Sequence, residues 1–113
     1  MAEKSPRRMK LEESLAADPN DPFLRYGLAL QCLRDGAVEE GRQRLCSLIA
    51  DDPDGQVAAY QQLGQSYAEA GELQAARAIL ETGVSKARAA GNGHAAGEME
   101  QLIASLDAID DGT

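Results

Sequence analysis

The stretch YQQLGQSYAEAGELQAARAIL, residues 60–80, decides the fold. It reads Tyr60-x2-Leu63-Gly64-x2-Tyr67, then Gly71, then Ala76-x3-Leu80. Apolar side chains at steps of three and four, with small ones between them, describe two helices that meet across a glycine break. The pattern has an earlier copy. Leu28-Ala29-x2-Cys32 precedes Leu63-Gly64-x2-Tyr67 by 35 residues, and Gly41-x3-Leu45 precedes Ala76-x3-Leu80 by the same step. A second line of matches, Leu11-x3-Leu15-Ala16-x-Asp18-Pro19 against Leu45-x3-Ile49-Ala50-x-Asp52-Pro53, runs at 34. The extra residue falls near Gly55 and Gln56, where a longer loop costs little closure entropy. A period of this length marks stacked helical hairpins.

The punctuation between the matches places the remaining elements. Pro22 opens a helix with Asp21 as its cap, and the run to Arg34 ends at Asp35-Gly36. A second helix takes Val38 to Ala50, burying Val38, Leu45, Leu48 and Ile49, and stops before Asp52-Pro53. Helices follow from Val57 to Ala70 and from Leu73 to Ala90, the latter closed by Gly91-Asn92-Gly93. A last helix from Ala95 to Ile109 puts Met99, Leu102, Ile103, Leu106 and Ile109 on one face, and a short leading helix spans Lys10 to Ala17. No segment suits a strand. The expectation is an all-α chain: residues 1–9 a flexible basic tail, 10–110 one helical repeat domain, 111–113 a tail. Ala29, Gly41, Gly64 and Ala76 are small where helix axes must approach closely, so bulkier residues there would overpack the hairpins by roughly 1–3 kcal/mol.

These residues resemble the tetratricopeptide repeat, whose pattern is W-x2-L-G-x2-Y, then A-x3-F, then P over 34 residues. The second unit, Tyr60 to Leu80, matches more closely. In the first unit Arg25 stands at the large aromatic position, Ala29 replaces glycine, Cys32 replaces tyrosine and Gly41 replaces alanine, while Pro53 is present. The leading helix is similar to the second half of a truncated earlier unit. The resemblance implies an α-α superhelix of two full repeats with a leading half-repeat and a C-terminal capping helix, of the short stand-alone bacterial type. It also implies that the first helix of each hairpin lines a concave groove.

Composition bounds the function. A chain of 113 residues holds one domain, which excludes a two-domain cofactor enzyme. Nineteen acidic residues against eleven basic ones give a net charge of -8, which opposes binding to nucleic acid or anionic membranes. Four of the eleven basic residues, Lys4, Arg7, Arg8 and Lys10, fall within the first ten positions, with no apolar signal core behind them, so a cytoplasmic protein is expected. Cys32 and Cys46 read as buried thiols within helices, without disulfide or zinc spacing. His94 has no partner at a catalytic spacing and reads as exposed or capping, and the pairs Glu12-Glu13, Glu39-Glu40 and Asp51-Asp52 read as solvated charge. No catalytic residue, metal or cofactor is expected.

The helix from Pro22 to Arg34 is apolar on two faces. Leu24, Leu28 and Cys32 form the stripe that the repeat requires, and Phe23, Tyr26, Leu30 and Leu33 form another. In the resembled family that second stripe, ending at Arg34, faces the groove, with Gln61, Gln65 and Glu69 at the matching positions of the next unit. The expected function is a non-catalytic scaffold binding a protein or peptide segment there. The alternatives are a small acidic chaperone for a secreted or assembled client, or a homo-oligomer closed through the stripe. A competing reading is that the leading helix or the cap covers it. The family's lysine and asparagine clamp for carboxylates is not matched, because Tyr26, Leu30, Gln61, Gln62 and Gln65 stand there.

Overall fold

Residues 4–112 of the computed structural model are described, and these form six α-helices and no strand. They are α1 (Pro6–Ala17), α2 (Pro22–Arg34), α3 (Val38–Asp51), α4 (Val57–Glu69), α5 (Leu73–Ala89) and α6 (Gly93–Gly112). Three turns share one local solution. Gly36, Gly71 and Gly91 have φ of 86°, 77° and 73°, and the amide after each donates back to the carbonyl five residues earlier. These are Ala37 to Cys32, Glu72 to Tyr67 and Asn92 to Ala87, at 2.9, 2.9 and 2.8 Å, the Schellman closure that satisfies the last carbonyls of a helix. The chain therefore reverses at the same register in both hairpins.

Two boundaries differ from expectation. α1 begins at Pro6 rather than Lys10, so residues 6–9 are helix and not tail. The cause is a Ser-Pro start: Ser5 Oγ accepts from the Arg8 amide at 3.1 Å, with proline in the first turn. Asn92 Oδ1 likewise accepts from the Ala95 amide at 3.0 Å, and α6 extends from Gly93 to Gly112 instead of Ala95 to Ile109. Residues 1–3 and Thr113 of the expected tails lie outside the described residues. His94 is exposed, 3.3 Å from Glu98 on its own helix.

Each helix packs on its chain neighbours, and α4 also touches α2 and α6. Alternate helices thus form two layers, α2, α4 and α6 on one side and α1, α3 and α5 on the other. The radius of gyration is 14.7 Å, above the ~13 Å of a rounded domain of this size, as a short solenoid requires. One buried cluster joins Ala29, Leu45, Ala59 and Leu63; another joins Ala76, Leu80, Met99 and Leu106. Tyr67 packs against both, which makes the core continuous. Close approach is real at Gly41 and Gly64: an added Cβ would stand 2.7 Å from Leu33 Cδ2 and 2.5 Å from Leu80 Cδ2, respectively. Gly83, which the repeat pattern did not mark, is as tight, 2.6 Å from Met99 Sδ and 2.9 Å from Tyr60 Cβ.

Three expected core positions are exposed. Cys46 follows Leu45 by 100° of helix, so it turns away from the Gly41, Leu45, Leu48 face and is exposed, whereas Cys32 is buried. Val38 is in the first turn of α3 and remains 38% exposed; Ile109, near the end of α6, is 53% exposed. Among the described residues no helix is long and apolar enough to cross a membrane.

α1 is fastened by polar contacts more than by core. Ser5 Oγ donates to Asp35 Oδ2 at 2.7 Å, and Arg8 Nη2 donates to both oxygens of Glu40 at 2.7 Å. The Ser5 hydroxyl, then Gln31, hold the Asp35 carboxyl below the usual range; Arg8, then Arg44, do the same for Glu40. A depressed carboxyl contributes stability that is complete above its unfolded value, about 4, and is lost as pH falls through the folded value. The amide protection factors of α1 followed by NMR should therefore fall below about pH 4 before those of α5. Glu40→Gln should flatten this response; loss of protection in both helices at one midpoint would contradict it.

Candidate binding groove

The inner layer leaves an open cleft between α2 and α4 of about 430 Å³, walled by Leu30, Leu33, Arg34 and Val38 on one side and by Gln62, Gln65, Ser66 and Glu69 on the other. A second cleft of about 490 Å³ separates α4 from α6 and contains Gln61, Gln65, Ala68, Glu69, Glu98 and Leu102. Gln65 and Glu69 belong to both. The two clefts adjoin along α4, which contributes Gln65 and Glu69 to both, and are consecutive parts of one concave face.

The expected groove residues separate into three groups. Leu30, Leu33, Arg34, Gln65 and Glu69 come together in the first cleft, and Gln61 joins Gln65 and Glu69 in the second. Tyr26 is half-buried against the Ala29 and Leu63 cluster, as Leu33 also partly is. Burial raises its phenol above the ordinary value, opposed by Gln62. Phe23 is 83% exposed in the first turn of α2 and lines neither cleft. Phe23→Ser should accordingly change the unfolding free energy by less than about 0.5 kcal/mol in urea denaturation.

Neither terminal helix covers this face. α1 packs on α2 through Leu11, 3.6 Å from the Cβ position of Gly27, and α6 packs on α4 and α5 without touching α2. Tyr26 is partly covered by the neighbouring repeat, and Leu33 packs on Gly41 of α3 in its own hairpin.

Arg42 was not legible as a groove residue. It is 8% exposed, yet its guanidinium forms part of the cleft wall. Its Nε donates to Ser66 Oγ at 2.9 Å, its Nη2 donates to the Ser66 carbonyl at 3.1 Å, and it lies 4.3 Å from the Tyr67 ring centroid. Its Nη1 is 3.4 Å from both Glu39 and Glu72. The α6 wall was missed for a different reason: a cap carries no repeat match, so its outward Glu98, Gln101 and Ser105 had no aligned partner. At the first aromatic position of the repeat, Arg25 pairs with Asp51 at 2.8 Å and donates to Ser47 at 2.9 Å, whereas Tyr60 donates to the Pro53 carbonyl at 3.0 Å. Arg25 thus fastens the end of α3, and Tyr60 the α3–α4 loop, by different chemistry.

Hairpins stacked at a constant register, with one layer lining an open concave face, define a helical-repeat protein. The chain belongs to the tetratricopeptide repeat family. The family's profile matches residues 1–58. A TPR repeat-containing protein of Pseudomonas aeruginosa is 32% identical over 97 residues, covering 86% of this chain and 91% of that protein. The solution structure of a tetratricopeptide repeat domain protein from Salinibacter ruber superimposes with a TM-score of 0.74 at 28% identity, covering 79% of this chain and 89% of that one. A protein of Bordetella parapertussis shares the fold, with a TM-score of 0.81 at 22% identity and 96% of each chain covered. Domains of this family generally mediate protein–protein interaction and are generally non-catalytic.

Proposed function

We propose that this chain is a non-catalytic adaptor that holds a segment of a partner protein along the concave face of α2, α4 and α6. The observation that supports this reading is the continuity of the two clefts through Gln65 and Glu69. A continuous trough with aliphatic walls and amide or charged edges suits an extended or helical segment, whose anchors fill the walls while its backbone meets the edges. Leu30 and Leu33 supply the walls at one end, Leu102 and Ile109 at the other. Both cysteines are free, which suits the reducing cytoplasm, where we place the protein.

A photoreactive phenylalanine analogue at Gln65 tests the reading against the same analogue at Ala78, an exposed position on α5. Irradiation in the source lysate should give adducts to another protein at Gln65 and not at Ala78. Equal labelling at both positions, or adducts only to a second copy, would overturn it.

A further inference from the structure

The two clefts differ in charge, and that difference names a class of ligand. The α2–α4 cleft has Arg34 and Arg42 in its walls. Among the described residues, no lysine or arginine lines the α4–α6 cleft. Its charged side chains are Glu69 and Glu98, and its polar rim includes Gln65 and Gln101. Its apolar surface includes Leu102, part-buried against the core, and Ile109, 53% exposed. Glu69 is exposed and accepts from Gln65 Nε2 at 3.1 Å; the Glu98 side chain is half-exposed, with His94 Nε2 3.3 Å away. Two carboxylates above an aliphatic floor, in a chain of net charge -8, form a complementary surface for cations carried on an apolar segment.

We infer that the α4–α6 cleft docks a basic amphipathic peptide segment, with lysine or arginine side chains reaching Glu69 and Glu98 and an aliphatic anchor seated on Leu102 and Ile109. This rests on the groove reading above and specifies its partner. The carboxylates lie toward water at the cleft edges, so they steer and orient the segment while the aliphatic anchor supplies the buried area. An acidic segment would place like charges together in this cleft and would be directed to Arg34 and Arg42 instead.

The probe is a displayed library of random 12-residue peptides selected on the immobilised full chain, with the selected peptides then titrated by fluorescence anisotropy. Enriched peptides should carry net positive charge and at least one aliphatic residue. Their affinity should fall at least tenfold with Glu69→Lys plus Glu98→Lys, and the difference should shrink between about 50 mM and 500 mM salt. Both sites are outside the core, and a lysine at the last position of α4 complements the helix terminus, so the double variant should retain its thermal midpoint. Enrichment of acidic or uncharged peptides that are weakened by Leu30→Asp and not by the double variant would overturn this inference and leave the groove reading intact. Failure to enrich any peptide would overturn both. Light scattering decides the remaining occupant: a dimer of the unmodified chain that becomes monomeric in the double variant would make the occupant a second copy and also overturn the inference.

Discussion

Leu80→Ala is expected to lower the unfolding free energy by about 2–5 kcal/mol, a large part of the roughly 5–15 kcal/mol that holds a domain together. Leu80 is fully buried where α4 crosses α5, and its side chain occupies the space left by the absent side chain of Gly64. Removing it leaves a cavity that two helices in contact along their length cannot close. The same geometry predicts a change of sign. Gly64→Ala in the native chain puts a methyl 2.5 Å from Leu80 Cδ2 and 2.6 Å from Cγ, so overpacking of roughly 1–3 kcal/mol outweighs a helix-propensity gain of about 1 kcal/mol. In the Leu80→Ala background the obstructing atoms are gone, and the same methyl fills part of the cavity. Gly64→Ala should therefore lower the thermal midpoint alone and raise it in the Leu80→Ala chain. Additive midpoints across the four proteins would show that the two positions do not share this space.

Much of this packing was legible because the repeat carries it twice. Leu28, Leu45, Leu63 and Leu80 recur at one step, and all four are buried. Gly36 and Gly71, both at positive φ, recur at that step too, so these two turns followed from the same comparison, whereas the Gly91 turn stands outside the period. Features outside the period were not legible. Gly83 has no marked counterpart, and its tightness depends on Met99 from the cap. The Ser5-Pro6 start was a local capping signal, hidden by the expectation that a basic chain end is loose. Its anchoring depends on Asp35 and Glu40, residues 30 and 32 positions away in sequence.

The groove was partly legible for the same reason. Helical spacing alone put Leu30, Leu33 and Arg34 on one face, and the repeat offset aligned Gln65 and Glu69 with it. Spacing could not separate Phe23, which begins the same stripe but projects beyond the cleft. Nor could it divide Tyr26 and Leu33 between groove and core, since that depends on how closely α4 approaches Tyr26 and α3 approaches Leu33.

Arg42→Ala should have the next largest effect, costing about 2–4 kcal/mol, and should act on the joint between repeats rather than within one. Arg42 leaves α3 and reaches α4, where three of its interactions converge on Ser66 and Tyr67. Removing the guanidinium strips the Ser66 hydroxyl of its donor and leaves the Ser66 carbonyl with the Ala70 amide alone, at a buried position, which costs more than the loss of an exposed pair. It also exposes the Tyr67 face, which links the two buried clusters. In a linear array each unit is stabilised through its neighbours, so weakening one joint lowers cooperativity as well as stability. The variant should show a smaller apparent m-value in urea, and the exchange protection of α2 and α3 should be lost at lower denaturant than that of α5 and α6. Arg42→Lys keeps the charge and the aliphatic stem but not the planar fork, so it should recover less than half of the lost stability. A single cooperative transition with an unchanged m-value, merely shifted in midpoint, would show that Arg42 stabilises the domain as a whole and does not couple its repeats.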